Sequence, residues 1–197
     1  MSSRFSADID DMKKFISVLS AFMVISLFPS NAQKIGISTN VLGYASLGTM
    51  NMELSYSVSR HLSITADARY NPFTFHPGDP ERQFQCRQQS YAAGVRYWLW
   101  HSMSGWWFSG KVRYQEYNYG GIWSPQSEEG DKVGVGLYAG YTHMLARHWN
   151  IEFGAGLWTG AAWFRRYDCP MCGFTVAQGR KWFLLPDDLA VSIAYVF

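Results

Sequence analysis

At 197 residues the chain is long enough for one domain with a sizeable core. It is 48% hydrophobic, 17% aromatic and only 16% charged, with a formal net charge of +2. That balance excludes a strongly basic nucleic-acid binder, for which there is no electrostatic footprint, and a disordered chain, because so much aromatic surface has to be hidden.

The amino terminus sets the compartment. Lys13 and Lys14 precede FISVLSAFMVISLF, an apolar run of 14 residues, and Pro29, Ser30, Asn31 and Ala32 follow it. A positive start, a short apolar stretch and small residues at its end make a secretory signal peptide over 1–32, with Met12 as a plausible true start. The run is shorter than the roughly 20 residues a membrane-spanning helix needs. The mature chain, 33–197, is therefore expected to be exported.

Beyond the signal, apolar and polar residues alternate and no segment holds a helical period. Eight strands are predicted: KIGISTNVL (34–42), MNMELSYSV (50–58), LSITADARY (62–70), QSYAAGVRYWL (89–99), WWFSGKVRYQEYN (106–118), KVGVGLYAGYTHML (132–145), WNIEFGAGLWTGAAWF (149–164) and LLPDDLAVSIAYVF (184–197). Pro186 suits the beginning of the last of these better than its interior. The breaks at 59–61, 100–105 and 146–148 are short, whereas those at 43–49, 71–88, 119–131 and 165–183 are longer. Short and long connections that alternate along a chain describe an up-and-down antiparallel barrel with turns at one rim and loops at the other, the asymmetry of outer-membrane barrels. The fold class expected is all-β, an eight-stranded antiparallel transmembrane β-barrel.

Parity decides which face meets what. One face carries Met52, Leu54, Tyr56, Ile64, Val95, Tyr97, Val112, Tyr114, Val133, Val135, Leu137, Ile151, Phe153, Leu157, Leu189, Val191, Ile193 and Tyr195, with no Lys, Arg, Asp or Glu. The other carries Glu53, Asp67, Arg69, Arg96, Lys111, Arg113 and Glu152. A charge on a lipid face costs roughly 2–4 kcal/mol at mid-membrane, so the apolar face is expected to meet lipid and the charges to line the lumen. Glycines 94, 134, 136, 140, 154, 156 and 160 share the inner parity and make room for large inward side chains. Aromatic residues gather toward both strand ends, as two interfacial belts would. Parity places Trp98 and Trp107 inside.

GVRYWL (94–99), YNYGGIW (117–123), GLYAGYTHML (136–145), RHWNIEFGAGL (147–157), RYDCPMCG (166–173) and AVSIAYVF (190–197) together resemble a Bacteroidota family of outer-membrane proteins whose domain is of unknown function, often encoded near fimbrial genes. The resemblance covers most of the mature chain, departing at QGRKWFLLPDD (178–188). It implies an outer-membrane barrel, with fimbrial or other envelope proteins as partners, and supplies no catalytic residues. A terminal strand ending on Phe197 fits recognition by the barrel assembly machinery.

Several constellations could carry chemistry. With a three-residue turn at Ser59–His61, Glu53 falls opposite Asp67, and Lys111 and Arg113 can neutralise the pair from across the lumen. Such a network is either an electrostatic plug or a gate. Cys169 and Cys172 form a single CxxC, half a zinc site, which Cys86 and His76 could complete; in an exported protein the alternative is a disulfide within the pair or to Cys86. Among His61, His76, His101, His143 and His148, His101-Ser102 sets a base beside a hydroxyl in a short turn, with no acidic orienter nearby in sequence, and His143 lies on the outer parity near a rim. Gly121-Ile122-Trp123 echoes a lipocalin motif but falls in a loop. The reading is a non-enzymatic, outer-membrane barrel with a plugged polar lumen that needs no cofactor or metal and presents its external loops. A narrow channel, a lipid-modifying enzyme and a soluble lipocalin-like carrier are the alternatives.

Overall fold

The computed structural model describes residues 34–76, 83–121, 126–168 and 174–197. The expected signal segment, Trp123, Cys169 and Cys172 lie outside the described residues. Eight antiparallel strands run in chain order: β1 (Ile35–Asn40), β2 (Met50–Ser57), β3 (Leu62–Asn71), β4 (Phe84–Trp98), β5 (Gly105–Gly120), β6 (Ser127–Met144), β7 (Trp149–Tyr167) and β8 (Thr175–Val196). Each pairs with the next, β3 with β4 and β1 with β8 included, so the sheet closes on itself as an eight-stranded barrel. Closure gives every strand a ladder neighbour on both sides, although β8 meets β1 only over Ser192 to Val196. The two-residue strand Thr74–Phe75 folds back on the start of β4.

The registers follow the side-chain pattern. Glu53 lies opposite Asp67 and Asn51 opposite Arg69, the pairing a three-residue turn dictates. Of the 18 residues assigned to the apolar face, 15 are exposed and Ile151, Val191 and Tyr195 are half-buried. The opposite parity holds the buried polar residues, among them Ser63, Thr65, Arg96, Lys111, Arg113, Thr142, Asn150 and Glu152. The molecule is inverted relative to a water-soluble fold, with polar residues inside and apolar ones outside.

Five strands run further toward the loop rim than alternation indicated. β4 begins at Phe84, β5 reaches Gly120, β6 begins at Ser127, β7 reaches Tyr167 and β8 begins at Thr175, so the loops shrink to about 121–126 and 168–174. In these flanks both faces are polar and the period-two signal vanishes. The ladder continues through opposite charges set side by side, Glu128 against Arg166 and Glu129 against Arg165. The first predicted strand, in contrast, stops two residues early. The Asn40 side chain accepts a hydrogen bond from the Leu42 backbone N–H at 3.1 Å and caps α1 (Val41–Ala45), a single helical turn.

Pro186 sits inside β8, not at its beginning. It is tolerated because β1 pairs with β8 only between Ser192 and Val196, so at the level of Pro186 the strand has β7 alone as a ladder neighbour. A bulge opposite Gly154–Gly156 lies just beyond, where the partner of Gly154 is Ala190 and that of Gly156 is Asp187. The extra residue flips the parity of the rest of β8. Leu189 points out, at 77% exposure, and Asp187 turns in.

Candidate functional site

At the turn rim the lumen is filled by apolar side chains. Trp98, Trp107, Met103, Tyr138 and Val196 form a buried cluster. The β4–β5 turn folds inward, with Met103 at a positive φ of 66° and its carbonyl accepting from Asn150 Nδ2 at 2.9 Å. The buried indoles keep their donors satisfied: Trp98 Nε1 donates to Ser63 Oγ at 2.9 Å and Trp107 Nε1 to Thr142 Oγ1 at 3.1 Å. Glycine provides the space. A Cβ at Gly140 or Gly154 would meet the Trp107 indole, and one at Gly136 or Gly156 the Tyr138 ring.

Above this layer the charges form an alternating chain. The Arg96 guanidinium lies 4.2 Å from the centre of the Trp107 ring and donates to Glu152 at 3.2 Å and to Glu53 at 2.5 Å. Lys111 Nζ bridges Glu53 at 2.5 Å and Asp67 at 2.9 Å, directly between the two cross-strand carboxylates. Arg113 pairs with Asp187 and stands 3.8 Å from Asp67, while Arg69 stands 3.4 Å from Asp187 and 3.8 Å from Asp67. The Tyr138 hydroxyl donates to Asp187 at 2.8 Å. Every cation of the chain therefore faces two carboxylates. Among the described residues, four cations (Arg69, Arg96, Lys111, Arg113) and four carboxylates (Glu53, Asp67, Glu152, Asp187) cancel, which is what burial of charge requires. The space remaining among them is about 60 Å³, room for a few waters.

The seven lumen charges read from sequence thus come together as one network. Asp187 is the member that sequence reasoning missed, because only the bulge turns it inward. Met103 was missed too, since nothing in the string HSMSG marks a turn that folds into the barrel mouth.

The histidines have structural work. His61 Nδ1 lies 2.9 Å from the Trp98 carbonyl and its ring stacks on Tyr97. His148 Nδ1 lies 2.8 Å from the Val196 carbonyl and its ring stacks on Tyr195. Two Arg-His turns, Arg60-His61 and Arg147-His148, thereby anchor to the end of an adjacent strand in the same way. His101 is exposed in the β4–β5 turn and His143 is exposed on the outer face of β6. Among the described residues no hydroxyl lies within hydrogen-bond reach of a histidine ring. Cys86 is half-buried on β4 opposite Tyr119, in a strand and not in the loop expected for it. No cluster among the described residues is disposed to hold a metal ion.

Toward the loop rim, Glu128 receives hydrogen bonds from Lys181 at 2.5 Å, from Arg166 at 2.8 Å and from the Tyr117 hydroxyl at 2.8 Å. Burial pushes its carboxyl up, but those three bonds and the Lys181 charge outweigh burial and hold it at about 2. On the outside, the Tyr114 hydroxyl donates to Glu116 at 2.8 Å and to Asp131 at 2.9 Å, where the first outward charges meet the last outward aromatic of β5.

The family described as protein of unknown function (DUF3575) matches residues 17–197. The chain belongs to that family. The family description assigns no activity, so for DUF3575 the geometry of this barrel has to speak for function. No curated protein and no solved structure matches the chain.

Proposed function

We propose that this DUF3575 protein is an exported outer-membrane barrel, closed to ions by its charge network, that acts without catalysis as a rigid scaffold presenting its loop rim to an envelope partner. The observation that carries this reading is the outer face. Leu54, Ile64, Val112, Val135, Leu137 and Phe153 are each 43–75% exposed, on strands that close a full ring. Each such side chain gains about 1.5–3 kcal/mol on leaving water, and a soluble monomer does not leave so large a contiguous patch uncovered. On β5 the outward apolar stretch runs from Trp106 to Tyr114 before Glu116. Eight steps of ~3.4 Å, tilted about 40°, give roughly 21 Å of height, close to the ~25 Å apolar band of outer-membrane barrels. Trp100, Trp106 and Trp149 at the turn rim and Tyr70, Tyr91, Trp163 and Trp182 toward the loop rim, all exposed, supply the interfacial belts.

The lumen supports closure rather than conduction: a neutral, mutually paired chain sits over an apolar layer and leaves about 60 Å³. The signal segment, assembly through the strand ending at Phe197 and a fimbrial or other envelope partner complete the reading, the partner resting on the family resemblance. Fractionation of cells is expected to give the chain in the outer membrane, with electrophoretic mobility that changes on heating. In planar bilayers the wild-type barrel is expected to be silent and the Lys111→Ala, Arg113→Ala double variant to conduct. Recovery in the aqueous fraction would refute the membrane assignment, and steady wild-type conductance would turn the scaffold into a narrow channel.

A further inference from the structure

A cavity of about 570 Å³ opens on the loop side of the charge network, within the range that holds small-molecule ligands. Its wall includes one cation unlike all the others. Lys132 is 9% exposed, and among the described residues it makes no hydrogen bond and no ion pair. Its ammonium is held only over aromatic faces, 4.1 Å from the centre of the Tyr117 ring and 5.4 Å from that of Tyr119. Arg69 and Arg113, which share the cavity, face Asp187; Lys132 does not. Two more polar groups of the same wall have no partner, the Trp158 indole N–H on a residue 3% exposed and the Ser90 hydroxyl on one 1% exposed. Buried polar groups are ordinarily bonded, and a buried charge is ordinarily paired. Here an ammonium, an indole N–H and a hydroxyl belong to one cavity wall and have no hydrogen-bond acceptor among the described residues, Glu128 acting on Lys132 only at longer range.

The same cavity has an apolar doorway. Above Ser192 the β1–β8 seam has no ladder, and α1 stands beside β8 there. The Asn40 side chain makes the last stitch, donating to the Leu189 carbonyl at 3.3 Å and accepting from the Val191 N–H at 3.2 Å. Leu42, Leu185 and Leu189 line the cavity here and are 39–77% exposed.

We propose that Lys132, Trp158 and Ser90 bind an anionic headgroup, a phosphate or carboxylate, whose acyl chain lies in the apolar gap between α1 and β8. The acyl chain rests on the membrane reading, whereas the anion site stands on the cavity itself.

The test uses the full barrel folded in a non-ionic maltoside detergent, titrated calorimetrically with dodecyl phosphate and with inorganic phosphate. Dodecyl phosphate is expected to bind the wild type, with affinity at least about tenfold lower in Lys132→Met, the loss expected of a charge-assisted hydrogen bond, and measurably lower in Trp158→Phe. Without ligand, Lys132→Met is expected to melt no lower than the wild type, because it removes a buried charge that no hydrogen bond or ion pair holds. Tighter binding of dodecyl phosphate than of inorganic phosphate identifies an amphiphile, and equal binding a free anion; either supports the site. No binding of either probe, or unchanged affinity in either folded variant, overturns it. A chain recovered as a soluble protein that still binds phosphate through Lys132 would refute the membrane reading and leave this one standing, while a membrane-inserted barrel that binds neither probe does the reverse.

Discussion

Lys111→Met is the most direct probe of the lumen. Methionine keeps most of the volume and removes the charge, leaving Glu53 and Asp67 face to face across the β2–β3 ladder. Both salt bridges of Lys111, at 2.5 and 2.9 Å, are lost, in a side chain 6% exposed. Removing one partner of a buried ion pair costs about 3–5 kcal/mol. The lower end applies, about 3 kcal/mol, because Glu53 keeps Arg96 at 2.5 Å and Asp67 keeps Arg69 and Arg113 at 3.8 Å. Equilibrium urea unfolding of the barrel in micelles, followed by tryptophan fluorescence, measures the difference. Adding Asp67→Asn removes one of the facing carboxylates and is expected to recover about half of the loss, a coupling typical of groups in one network. A single variant as stable as the wild type, or a double variant less stable than the single, would refute the idea that Lys111 acts by neutralising the pair.

At the loop rim, Glu128 has its pKa lowered from 4.5 to about 2. A depressed carboxylate contributes stability above its unfolded value and loses it as pH falls, so the Glu128–Lys181–Arg166 cluster is expected to loosen between pH 4.5 and 2. Protease susceptibility of 174–181 across that window checks it, and Glu128→Gln should abolish the dependence. Gly156→Ala drives a Cβ into the Tyr138 ring and is expected to cost about 1–3 kcal/mol, read by the same urea unfolding. His148→Phe keeps the stack on Tyr195 but removes the bond to the Val196 carbonyl; a loss of about 1 kcal/mol is expected, with no change in conductance.

Alternation made the barrel legible, since closure, strand number, inner and outer faces and the Glu53–Asp67 pairing all follow from a period of two and one short turn. It failed where both faces are polar, as at 84–88, 127–131 and 165–167, because there a strand and a loop have the same composition. It failed also at the β8 bulge, where one extra residue exchanges the faces and brings Asp187 into the lumen. The roles of His61 and His148 were hidden for another reason: a ring bonded to a carbonyl of a distant strand end leaves no local pattern. Lys132 was not among the lumen charges read from the sequence, and its want of a hydrogen-bond partner emerges only once the facing strands are in place.

The mutual bridging of the eight lumen charges has an evolutionary corollary. Since each cation answers to two carboxylates, a substitution at any one of them strands a neighbour, and the damage is repaired only by a second change elsewhere on the circuit. Among relatives of this chain, positions 53, 67, 69, 96, 111, 113, 152 and 187 should accordingly drift in compensated sets that hold their summed charge at zero, while the outward-facing residues between them vary independently.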